Sequence, residues 1–126
     1  MSSEVQDKAL AQNSDPRVRA YVAWVPMLGG EESDVPAAMP MVRDPRARHY
    51  WDATGFLIRS YQTVLTLSEP AWDIYMIYPA GVRREDTAPP PPAFWMHQLG
   101  RPERPRVHGP YLDAAVFGAR LAETLR

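Results

Sequence analysis

The sequence predicts an α/β domain, and three observations carry that expectation. "VRAYVAWVPML" (residues 18–28) and "AWDIYMIY" (residues 71–78) are near-continuous apolar runs rich in β-branched and aromatic residues, as strands covered on both faces require. Between them, residues 54–67 place Leu57, Tyr61, Val64 and Leu65 on one face at helical spacing, with Arg59, Gln62 and Thr66 elsewhere. A chain of 126 residues buries one core without disulfides or metal staples, so no second domain is expected.

The elements follow in order. Residues 1–17 read as a short helix or flexible arm, capped by Ser2 or Ser3, with only Val5, Ala9 and Leu10 as an apolar stripe and "NSDP" as its breaker. So thin a stripe predicts a frayed or partner-dependent helix. The first strand runs from Val18, interrupted only by Arg19, until Gly29 and Gly30 break it. In "EESDVPAAMPM" the prolines at 36 and 40 forbid a long helix, which leaves a single helical turn or an ordered loop. Asp44-Pro45 predicts a turn, His49 to Trp51 a short extended piece, and Asp52 a cap for the helix that follows.

The second strand stops at Pro79-Ala80-Gly81. "RREDTAPPPP" then reads as an extended, solvated connector, and "AFWMHQL" as a third strand. The Arg- and Pro-rich stretch through Arg106 is irregular, after which Pro110 opens a final helix to about Leu125.

Composition bounds the chemistry. The net charge of −1 gives the whole chain no electrostatic footprint for nucleic acid or an anionic membrane. Basic charge rests almost wholly on arginine, with Lys8 the only lysine; genome composition and anion recognition both account for that. The chain has no cysteine, so disulfides, thiolate nucleophiles, thiolate metal ligands and dithiol redox chemistry are excluded for it. No segment approaches the roughly 20 apolar residues of a membrane span, and the N-terminus lacks a signal-peptide pattern. A soluble cytoplasmic protein is expected.

"HYWDATGFLIRSYQTVLTLSEPAWDIYMIYPAG" resembles the short strand, aspartate turn, helix, proline and strand of the thioredoxin-like family, in its peroxiredoxin-related branch. "AWDIYMIY" and "PAFWMHQL" are similar to strings in uncharacterised bacterial thioredoxin-like proteins. The resemblance is one of order and pattern, and it implies an N-terminally truncated, three-layer thioredoxin-like α/β domain with a mixed sheet over residues 18–126. It also implies a cis Glu69-Pro70 bond, the counterpart of the proline that faces the family's redox dithiol. Both the Cys-x-x-Cys motif and the strand that leads into it are missing here. In the family that strand lies between the counterparts of residues 18–28 and 71–78, so here the two strands pair directly or a partner fills the slot. An unpaired edge is a template for association, which predicts a protein partner or a homo-oligomer.

Candidate binding residues are Pro70, Trp72, Asp73, Trp95 and His97, with no catalytic residue, metal or cofactor expected. Asp73 stands in an apolar strand, either as an acid with a raised pKa near Pro70 or as a strand-start residue bonded to backbone or arginine. Trp24, Trp51, Trp72 and Trp95 line a pocket or interface, or pack the core, with Trp72 and Trp95 the more exposed pair. His49, His97 and His108 lie in separate elements without metal-ligand spacing, and read as structural. The function expected is a non-redox thioredoxin-like protein acting through protein contacts. The alternative is a small-ligand binder or hydrolytic enzyme with a pocket near Pro70, Trp72 and His97.

Overall fold

Along Ala20–Trp24 (β1) and Ala47–Trp51 (β2), half-buried and exposed residues alternate strictly, so each strand turns one face to the protein and one to solvent. The computed structural model describes residues 4–26, 30–82 and 88–126. The two strands pair in parallel, with Ala20 opposite Ala47 and Trp24 opposite Trp51. A strand covered on both faces was the expectation for residues 18–28. The structure corrects it: Tyr21 is 70 % and Tyr50 52 % exposed, and their rings stack 6.3 Å apart on the open face.

Residues 32–42 make a chain of short turns, Glu32–Asp34, α1 (Val35–Ala38) and Met39–Val42, as Pro36 and Pro40 dictate. The Asp44-Pro45 turn closes with Ala47 N–H donating to the Asp44 carbonyl at 2.9 Å. Asp52 caps as anticipated, its two carboxylate oxygens accepting from the N–H groups of Phe56 and Leu57 at 3.1 and 2.9 Å. The helix it starts, α2, spans Phe56–Val64.

β3 (Ile74–Ile77) and β4 (Phe94–His97) form an antiparallel pair, and β5 (Gly100–Arg101) and β6 (Arg104–Pro105) a small hairpin. The final helix, α3, is Ala114–Thr124. Its start is corrected from Pro110: Asp113 is the cap, accepting from the N–H groups of Ala115 and Val116 at 3.1 and 3.2 Å.

Helix α3 and the N-terminal turn hold the two larger sheets together. Tyr75, Ile77 and Met96 pack one face of β3–β4 against Ala9 and Phe117. Leu10, Val18 and Val42 pack with Ala20, Val22 and Ala47 on the inner face of β1–β2, and Leu121 touches both clusters. The other face of β3–β4 meets Leu65, Leu67, Ala71, Leu99 and Val107. Two-stranded sheets are marginal alone, so their stability derives from this shared helix.

The N-terminal segment is therefore corrected from a frayed helix to a docked one. Ala9 and Leu10 are buried, Asn13 Nδ2 donates to the carbonyls of Ala9 and Gly118, and Arg46 donates to those of Leu10, Asn13 and Asp15. The connector too is corrected where it is described: Pro89 is buried and the Pro90 carbonyl accepts from the Tyr78 hydroxyl at 2.6 Å. The expected Ser2 or Ser3 cap, the break at Gly29 and residues 83–87 lie outside the described residues.

Candidate functional site

Helix α2 leads to Pro70 through a left-handed Thr66 at φ 55°. Leu67 N–H donates to the Gln62 carbonyl at 2.8 Å and Thr66 N–H to that of Thr63 at 3.2 Å, the paired bonds of a Schellman motif. Ala71 N–H then returns to the Ile58 carbonyl at 2.9 Å, tying the chain after Pro70 back to the helix. The Glu69-Pro70 bond is trans, which corrects the expected cis geometry. The reversal from helix to strand is made by Thr66 and by Asp73, also at φ 55°.

Of the predicted residues, Trp72 and Trp95 are brought onto one apolar cluster with Leu65, Leu67, Ala71, Leu99 and Val107. Both residues are half-buried there, so they serve as packing residues. Arg106 lies over the Trp72 ring at 5.7 Å and binds Glu69 at 2.7 Å, which closes the surface beside Pro70. The Trp95 ring meets His108 edge-on at 5.5 Å, and a Cβ at Gly109 would stand 2.5 Å from the indole. Only glycine admits Trp95 at that position.

Asp73 and His97 turn into the fold. The Asp73 carboxylate accepts from the Tyr75 hydroxyl at 2.6 Å at the entrance to β3. His97 is fully buried, its Nδ1 accepting from Leu99 N–H at 3.1 Å and its Nε2–H donating to the Gly109 carbonyl at 3.2 Å. Burial drives its pKa below the usual histidine value, with His108 acting in the same direction and the Gly109 carbonyl opposing. A neutral imidazole with both nitrogens committed to backbone has no lone pair or proton to offer a ligand in this arrangement. His49 is similarly engaged, between Trp24 Nε1–H at 3.0 Å and the Val42 carbonyl at 3.1 Å.

Among the described residues, no three His, Asp or Glu side chains are grouped to hold a metal ion, and no helix is long and apolar enough to cross a membrane. A shallow groove of about 280 Å³ runs along α2, lined by Phe56, Arg59, Ser60, Thr63, Val64 and Ala88, away from the five predicted residues.

The strand edges supply what the sequence reading did not localise. Ala20 N–H donates to the Arg46 carbonyl and the Trp24 carbonyl accepts from Asp52 N–H, so even-numbered residues of β1 bond toward β2. Tyr21 and Ala23 therefore aim their N–H and C=O groups at the opposite edge, where no backbone partner exists among the described residues. In β3 the carbonyls of Asp73 and Ile77 accept from Gln98 and Ala93, which leaves Ile74 and Met76 on the outer edge, likewise unpaired. The outer edge of β4, by contrast, is occupied: His97 N–H donates to the Pro110 carbonyl and the His97 carbonyl accepts from Leu112 N–H. Period-two alternation of Arg48 and Tyr50 against Ala47, His49 and Trp51 was the available signal for the open face of β1–β2.

Compared with protein-family models, curated proteins and solved structures, the chain matches none.

Proposed function

We propose that this chain is a non-redox, thioredoxin-like cytoplasmic protein that acts through protein contacts, as an accessory factor or a subunit of a complex. The observation that carries the reading is the break between the two larger sheets. Among the described residues β1 and β3 each have one edge without a backbone partner, and both strands lean on the same helix α3. An edge with unpaired N–H and C=O groups is completed by an added strand, which another chain or a second copy supplies. Tyr21 lies on β1, which bears one of these edges, and with Tyr50 of the neighbouring β2 it supplies the exposed aromatic surface that interfaces favour.

Support for the thioredoxin-like part is the order of elements alone, since the trans Glu69-Pro70 bond departs from the family pattern. The alternative of a ligand pocket near Pro70, Trp72 and His97 asks His97 to give up two backbone hydrogen bonds, and no observation favours it.

The test is isolation of the full chain from its own cells under native conditions, followed by mass measurement of the intact assembly. A defined stoichiometric complex or homo-oligomer, lost when Tyr21 and Tyr50 are replaced by serine, is the expected result. A monomer throughout, with an activity that depends on His97, would favour the ligand-pocket alternative.

A further inference from the structure

Residues 99–107 leave the core as a short hairpin and return to it. Leu99 (0 % exposed) and Val107 (7 %) anchor the two ends, and Arg101 lies directly opposite Arg104. The base is locked, with Arg106 N–H donating to the Leu99 carbonyl at 3.0 Å and the Tyr111 hydroxyl to the Gly100 carbonyl at 3.1 Å. Gly100 sits at φ +87°, and a Cβ there would stand 2.7 Å from the Arg104 carbonyl oxygen, so this tight return requires glycine. Pro102 and Pro105 remove further backbone freedom.

Directly opposed residues of an antiparallel pair project from the same face, so the register sets the Arg101 and Arg104 side chains next to each other. Both are exposed, and neither takes part in any of the ion pairs or side-chain hydrogen bonds among the described residues, even though Glu103 adjoins Arg104. The hairpin's third arginine, Arg106, already holds a carboxylate, that of Glu69. Like charges placed opposite each other oppose pairing, and strands of two exposed residues gain little from packing that would offset it.

We propose that Arg101 and Arg104 form a binding site for a dianionic phosphate group. Two guanidinium forks on one face match both the double charge and the oxygen geometry of a phosphate monoester, whereas a single carboxylate leaves one cation uncompensated. Glu103 at the tip repels a long polyanion lying across the hairpin, which selects a discrete phosphate over a nucleic-acid backbone. The phosphate belongs to a small phosphorylated molecule or to a phosphorylated side chain of a partner. The site is independent of the strand edges.

The test uses the full-length chain, with arginine Nε–H resonances followed by NMR at pH 7.5 and low ionic strength. The probes are inorganic phosphate, a phosphoserine peptide and the same peptide with glutamate in place of phosphoserine. Saturable shifts of Arg101 and Arg104 with phosphate are expected, weakened about tenfold or more by Arg101→Ala or Arg104→Ala and unchanged by Arg126→Ala. These exposed substitutions leave the fold intact. Tighter binding of the phosphopeptide than of free phosphate identifies a protein-borne source, and equal binding a small molecule. Absence of saturable shifts, shifts that survive both substitutions, or equal binding of the glutamate peptide and the phosphopeptide would overturn the proposal.

Discussion

Arg46 and Asp44 meet through two parallel hydrogen bonds, Nε to Oδ1 at 2.9 Å and Nη2 to Oδ2 at 2.8 Å, with only 15 % and 10 % of their side chains exposed. The same guanidinium donates to three carbonyls of the N-terminal segment, so this pair binds β2 to residues 10–15. Arg46→Ala leaves a carboxylate that is 10 % exposed, and three carbonyls, without the guanidinium that binds them. The expected loss is about 2–3 kcal/mol in urea unfolding, with faster exchange of amides in residues 5–13.

Acid acts on the same pair. Hydrogen bonds from Arg46 hold the Asp44 carboxyl down to about 2, below its unfolded value of about 4. A depressed carboxyl contributes stability that is complete above the unfolded value and is lost as pH falls through the folded one. Unfolding followed from pH 5 to pH 2 therefore shows a decline that Asp44→Asn makes shallower, at the cost of lower stability at pH 5; Asp15, held down by Arg17, keeps a part of it.

His97 titrates in a different window and with a different cause. Its pKa is lowered by burial, so below about 6.5 the unfolded chain takes up a proton that the native imidazole refuses. Stability accordingly falls as pH drops from 7.5 toward 5, by up to about 1.4 kcal/mol per pH unit from this residue. His97→Gln lowers stability at pH 7.5 and flattens that slope; an unchanged slope would show that His97 is not its source.

Gly118 lets the N-terminal turn dock. A Cβ there would stand 2.6 Å from the Lys8 carbonyl oxygen and 3.2 Å from Ala9 Cα, both backbone atoms that cannot swing away. Gly118→Ala gains helix propensity but forces the segments apart, for a net loss of about 1–2 kcal/mol by thermal unfolding.

Thr66 offers the opposite sign. A β-branched residue at φ 55° is strained where glycine is not, so Thr66→Gly is expected to stabilise by about 1 kcal/mol in the same assay.

Local signals were the legible ones. Asp52 capping α2, the Asp44-Pro45 turn and the strands around Tyr75 and Met96 all follow from residues close in sequence or from short apolar runs. Docking of Ala9 on α3 was not legible, because it depends on Gly118 at the far end of the chain. The trans Glu69-Pro70 bond escaped for a related reason: the turn work is done by Thr66 and Asp73, two residues that composition does not mark for positive φ. Of the candidate site, Trp72 and Trp95 do share one cluster, while Asp73 and His97 are spent on Tyr75 and on backbone.

Amide hydrogen exchange on the chain alone and in its native assembly tests the central claim most directly. The account predicts that the amides of Tyr21, Ala23, Ile74 and Met76 exchange rapidly in the isolated chain, while Val22 and Tyr75 are protected. In the assembly, at least one of the two edges gains protection. Protection of all strand amides in a monodisperse monomer, unchanged in the assembly, would contradict it.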